Sequence, residues 1–377
     1  MRLIWIIVII LIGYGSLFPF NFDFSRELPQ DLLAWLGNWE QRTIRSDLIA
    51  NILLFIPFGF FGALTVQQDN RRYPILSVFW LIFAGVVYAL LLQFLQFYLP
   101  SRVPHAADAV INSLGILLGI SMAAYTNSHR LRRVIPRRLH FQLTPALVIL
   151  ALWLGWAFFP YSPVFDSAQL GKGIVNIYQS QWHWFLWFKF SLFWLAFFYS
   201  FSRVMQRQYH LGVLVAIAIF ILTIKLSMFR SQLGWSEISA VPVALMLYRL
   251  VASNGQLMIM SLASLAILVG QLLLPWYWSG DGINAIQWIP FKGFLGGSTW
   301  YHLTNLLEFS LLIACLAYAI AKGANSFKKA SLITLIIIIL ISGLQLFIAN
   351  KMPDVTNIIM VVIIGILLET IDRMRRG

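Results

Sequence analysis

The sequence predicts an all-α integral membrane protein of about twelve transmembrane helices, arranged as three four-helix repeats. Three observations carry this expectation. Of the 377 residues, 60% are hydrophobic and only 11% are charged, a balance that belongs in lipid rather than in water. Apolar runs long enough to cross a bilayer recur along the whole chain. Basic residues gather in alternate short loops between those runs.

The expected spans are 3–20, 47–66, 74–97, 107–125, 142–159, 183–201, 211–229, 237–251, 257–276, 301–321, 330–349 and 354–371. The first follows Met1-Arg2 directly, as a signal peptide would. It lacks a small-residue cleavage site and runs into Phe18-Pro19-Phe20, so it reads as a helix. The eighth is the shortest. Seventeen of the 27 basic residues lie on one side of the spans: Arg2, Arg71 and Arg72, the Arg130–Arg138 cluster, Arg203 and Arg207, Arg249, Lys322, Lys328 and Lys329, and Arg373, Arg375 and Arg376. Eight fall on the other side, and ten of the 14 acidic residues lie on that side or at its span edges. The positive-inside rule then places both termini in the cytoplasm and segments 21–46, 160–182 and 276–300 outside. The net charge of +13 is a topology signal, and nucleic acid is not an expected partner. Membrane lipids are. Cys315 is the single cysteine, so a disulfide framework or a cysteine metal site is excluded.

One stretch concentrates polar chemistry. Gln93 and Gln96 share a helix face. Asp108, Asn112, Gly115 and Gly119 follow at i, i+4, i+7 and i+11, one stripe of the next helix. The two glycines at GxxxG spacing allow a neighbouring backbone to come close. A short loop with Pro100, Arg102, Pro104 and His105 joins the two helices at the outer surface. Polar groups at this depth need partners, and the loop leaves Arg102 within ion-pair reach of Asp108. The alternative is that Asp108 and Asn112 only cap and pack a helix start.

The chain repeats itself. The first span of each group ends in a related signature: Phe18-Pro19-Phe20, Phe159-Pro160-Tyr161 and Leu274-Pro275-Trp276. A long outer segment follows each one. Asn51-Ile-Leu-Leu-Phe55 matches Asn305-Leu-Leu-Glu308-Phe309, and Gln96…Arg102…Asp108 is echoed by Gln345…Lys351…Asp354. Gly119 and Gly365 each lie eleven residues beyond their aspartate. The middle group diverges most, with Arg230…Glu237 in the corresponding place. The expected divisions are 1–128, 141–253 and 256–377.

The first copy, over residues 10–125, resembles the VanZ-like family. The resemblance rests on Phe18-Pro19-Phe20, the Asn51-to-Phe60 block with Pro57 and Gly59, Gln93-x-x-Gln96, Arg102, and Asp108-x-x-x-Asn112-x-x-Gly115. The third copy keeps Ile289-Pro290-Phe291. Gln93 stands where the family often has glutamate, so a carboxylate is missing there. The resemblance implies a bacterial cell-envelope protein of the inner membrane. The family takes its name from a protein linked to resistance to the glycopeptide teicoplanin.

Catalytic signatures are absent. Ser101-Arg102-x-x-His105-x-x-Asp108 is too compressed for a lipid phosphatase. HExxH, GxSxG and Walker A patterns are missing. No catalytic residue, metal or cofactor is expected. Three ionisable residues lie inside spans: Lys189, Lys225 and Glu308. Charges there pair or line a polar cavity; a Lys189–Glu308 pair is one reading and an outward-open pocket the other. The candidate polar recess is therefore Asn51, Gln93, Gln96, Arg102, Asp108, Asn112, Lys189, Lys225, Glu308 and Asp354. The expected function is a non-enzymatic envelope factor that binds a lipid-linked or amphipathic glycan or glycopeptide. The alternative is a transporter or flippase of an envelope lipid or polysaccharide precursor; a membrane transferase ranks third.

Overall fold

The computed structural model describes residues 1–26, 45–69, 74–101, 104, 106–127, 143–159, 164, 166–228, 233–279, 282–295 and 299–376. These residues are all-helical apart from loops, and each of the twelve expected segments is a helix. In chain order they are α1 (Arg2–Leu17), α2 (Arg45–Asp69), α3 (Pro74–Gln96), α4 (Ala106–Asn127), α5 (Pro145–Phe158), α6 (Ser167–Gln179), α7 (Trp184–Val204), α8 (Leu211–Ser227), α9 (Trp235–Leu250), α10 (Ser253–Leu273), α11 (Lys292–Leu295), α12 (Thr299–Ala324), α13 (Phe327–Gln345) and α14 (Val355–Arg376). Seven of them (α3, α4, α7, α10, α12, α13 and α14) are long and apolar enough to cross a membrane. α1, α5, α8 and a stretch of α2 are shorter apolar helices. On α3, Leu76, Trp80, Phe83, Val87, Leu91 and Phe94 form an exposed apolar stripe. Backbone groups within such a stripe are satisfied inside the helix, so lipid can cover it.

Proline sets the ends of three helices. The residue before a proline is pushed out of the helical region. Phe18, Phe159 and Leu274 accordingly take extended ψ values of 138°, 133° and 147°. At the other end of α5, Pro145 occupies the first turn, where its missing N–H costs nothing.

The chain forms two compact units, Met1–His140 and Phe141–Gly377. The first carries α1 to α4. Its tightest pair is α2 with α4, and three glycines explain why. A Cβ at Gly59 would lie 2.8 Å from the Ile116 carbonyl carbon, and one at Gly119 would lie 2.6 Å from the Phe60 nitrogen. Gly115 sits against Ile52 in the same way. Ile52 beside Gly115 and Ile56 beside Gly119 mean that the two helices run parallel.

The second unit holds α5 to α14, so residues 141–253 and 256–377 pack together. Its core is α7 and α12, almost wholly buried from Ser191 to Ser200 and from Phe309 to Ala319. Trp153 of α5 packs on Trp194 and Phe197 of α7, with ring centroids 5.0 and 4.4 Å apart. Segment 160–182, expected as an outer connection, contains helix α6. Asp166 caps it by accepting from Ala168 N–H. Gly173 and Gln169 face the end of α8, and Gln169 donates to the Met228 carbonyl at 3.1 Å. Leu170, Ile174 and Tyr178, at four-residue spacing, are exposed, the pattern of a helix lying in the membrane interface.

The three sequence groups share a contact. The fourth residue after each signature proline donates its backbone N–H to a carbonyl at the end of the group's third helix. The bonds are Asp23 to Tyr98 at 2.7 Å, Val164 to Ser227 at 2.8 Å, and Ser279 to Phe347 at 2.9 Å. A second bond recurs in two groups. Gln96 Nε2 donates to Ser16 O at 2.9 Å and Gln345 Nε2 to Leu272 O at 3.0 Å. Ser16 and Leu272 each lie three residues before their proline.

Candidate functional site

In the first unit the polar residues gather where α3 ends and where α2 and α4 begin. Gln93 is buried one turn before the end of α3. Gln96 closes that helix and ties it to the last turn of α1 through Ser16 O. Asp108 lies in the first turn of α4, where the positive end of the helix dipole favours a carboxylate. Asn112, one turn further on, is 4% exposed. Its Oδ1 accepts no hydrogen bond among the described residues, which is costly for a buried amide. The parallel register of α2 and α4 places Asn51 at the same level as Asn112. Arg102 lies outside the described residues, as does the expected Arg102–Asp108 pair.

Segment 18–26 folds over the same end of the unit. Arg26 Nη1 donates to Leu99 O at 3.2 Å. Ser25 donates to Asp23 through its hydroxyl at 2.6 Å and its backbone at 3.1 Å. Those two bonds hold the Asp23 carboxyl below the ordinary carboxylate range.

The second unit places Lys189, Lys225 and Glu308 in ion pairs and Asp354 at a helix start. Lys189 Nζ on α7 reaches both carboxylate oxygens of Glu308 on α12, at 2.9 and 3.0 Å. The side chains are 11% and 12% exposed. Gln271 of α10 adds a hydrogen bond to the same carboxylate. Three helices therefore meet at one charge pair, and it joins residues 141–253 to 256–377. Lys225 on α8 pairs with Glu237 on α9 at 2.6 Å and lies over the Trp156 ring at 4.8 Å. Both cations sit in closed, satisfied surroundings, the arrangement that makes a charge tolerable in a nonpolar interior. Asp354 caps α14, its Oδ1 accepting from Thr356 N at 2.7 Å. Lys351 donates to Leu274 O at 2.6 Å, and burial lowers its pKa.

Sequence reasoning found Lys189 with Glu308 but missed Gln271 and the role of Glu237. Gln271 had a signal, being a lone amide inside an apolar run four residues before Pro275. Among the described residues no group of three or more His, Cys, Asp or Glu is placed to hold a metal.

Comparison with known proteins gives the affiliation of the first unit. Residues 4–127 match the VanZ/LLP1 family. The chain is 25% identical over 151 residues to "Protein VanZ" of Enterococcus faecium, covering 40% of this chain and 84% of that protein. No solved structure matches the chain.

Proposed function

Residues 4–127 belong to the VanZ-like family, and from that premise we propose that the first unit is the working part of an envelope protein. Its polar end binds an amphipathic or lipid-linked glycan, or a glycopeptide, at the outer face of the membrane and alters access to it. The observation that carries this reading is the buried Asn112 Oδ1, without a partner among the described residues, one turn from Asp108 and level with Asn51. A hydroxyl-rich ligand supplies the donor that the Asn112 amide oxygen lacks among the described residues. The helix pairs of the second unit are a scaffold. The recurring bonds after Pro19, Pro160 and Pro275 support an origin of all twelve spans in three copies of one four-helix unit.

The binding test uses full-length protein in nanodiscs, titrated with a fluorescent glycopeptide and with a lipid-linked disaccharide. Asp108→Asn and Asn112→Leu should each weaken binding of one ligand about tenfold, or ~1.4 kcal/mol, at unchanged membrane abundance. Loss of abundance instead, with affinity preserved in the protein that remains, would assign both residues to packing.

The proposed orientation has both termini in the cytoplasm. Ser25→Cys, Asn176→Cys and Ile283→Cys, made singly in a Cys315→Ser background, should react with an impermeant thiol reagent in intact spheroplasts. Asn325→Cys should react only after lysis. The reverse pattern would invert the topology. Native Cys315 is fully buried, so its removal serves only to silence the background.

A further inference from the structure

At the end of the second unit opposite its outer segments lies a cavity of about 710 Å³. Five cations line it: Arg203, Arg207, Arg249, Lys322 and Arg375. Among its described lining residues there is no aspartate or glutamate. Four of these cations stand in the last turns of α7, α9, α12 and α14. Each is accounted for singly by the negative end of its helix dipole and by topology. Their convergence on one acid-free hollow, joined there by Arg207 from a loop, is not. Like charges gathered in this way repel, and an anion between them relieves the repulsion.

The walls position these side chains. Arg203 lies over the Tyr199 ring at 5.2 Å, and its Nη2 donates to Ser253 Oγ at 2.6 Å. Lys322 lies over Tyr318 at 5.3 Å. Asp372, on the same helix as Arg375, is engaged with Arg376 at 2.8 Å. The cavity also takes in the start of α5, at Thr144 and Pro145, so the positive end of a helix dipole adds to the field. The Thr144 hydroxyl is buried and has no hydrogen-bond partner among the described residues.

We propose that this cavity is a binding site for a phosphate or diphosphate group, separate from the polar end of the first unit. Arginine forks match phosphate oxygens in pairs, and five positive charges suit a group carrying more than one negative charge. The group is either a lipid headgroup entering from the membrane or a soluble phosphorylated molecule.

Two probes separate these sources. Full-length protein in phosphatidylcholine nanodiscs is titrated with sodium pyrophosphate by calorimetry, against sodium chloride at equal ionic strength. In parallel, the thermal midpoint is compared in phosphatidylcholine alone and mixed with phosphatidic acid. One saturable site for pyrophosphate supports a soluble ligand; stabilisation by phosphatidic acid alone supports a lipid headgroup. The double variant Arg203→Gln/Lys322→Gln should weaken the response about a hundredfold, two lost charge-assisted contacts at about tenfold each. Lys328→Gln/Lys329→Gln, which removes two charges on the same side but outside the cavity, should leave it unchanged. The proposal is overturned if neither probe acts beyond matched chloride, or if both double variants reduce the response equally, since that is a diffuse surface field. Should the Arg203 variant not accumulate, the wild-type titrations decide alone.

Discussion

Lys189→Met should destabilise the protein by about 3–5 kcal/mol, the usual cost of leaving one member of a buried pair alone. Among the described residues Glu308 would keep only the Gln271 hydrogen bond, at a meeting point of α7, α10 and α12. The double variant Lys189→Met/Glu308→Leu should regain most of that loss, because well-packed apolar residues replace a buried pair at little net cost. Thermal unfolding of full-length protein in detergent, followed by size-exclusion fluorescence, reads the three variants on one scale. A single variant within about 1 kcal/mol of wild type would mean that solvent reaches the pair and screens it. The closed surroundings of both side chains would then be wrong.

The second large effect is expected at Gly59. Gly59→Ala places a methyl group 2.8 Å from the Ile116 carbonyl carbon, with the carbonyl oxygen closer still. The obstacle is backbone, so no side chain can rotate away, and α2 must move off α4. The expected loss is about 3 kcal/mol. Gly119→Ala, facing the Phe60 nitrogen at 2.6 Å, should behave alike. Gly15→Ala in α1 is the control. A Cβ there meets nothing within 4 Å, and helix propensity favours alanine by about 0.8–1 kcal/mol. Equal midpoints for Gly59→Ala and Gly15→Ala would show that α2 and α4 are less closely packed than the glycines indicate. Because Asn51 and Asn112 take their common level from this crossing, Gly59→Ala should also weaken the ligand binding proposed for the first unit.

Much of the fold was legible in the chain because its determinants are local. A run of apolar residues in lipid has no option but to close its backbone hydrogen bonds within itself. The helices therefore appear where hydropathy places them. Proline acts on its own neighbours, so the ends at Phe18, Phe159 and Leu274 were legible too. The glycine stripe of α4 announced a close neighbour, and Lys189 and Glu308 announced a need for partners. Helix α6 was less legible. Its apolar residues are interleaved with polar ones, so no long apolar run marks it.

Partnership is a different matter. Local sequence features were enough for the membrane class, the helices, their proline-set ends and the residues that are costly to bury. Helix packing was needed to show that α4 lies against α2, that Gln271 joins Lys189 and Glu308, and that Lys225 takes Glu237. It also decided that residues 141–253 and 256–377 form one unit, and that four cations from separate helix ends and one from a loop meet around one cavity. The reason is physical. Hydropathy, periodicity and proline sterics act over a few residues and can be read along the chain. Which distant side chains come together depends on how whole helices pack, and in lipid that packing is set by shape and by the few polar groups that must find each other.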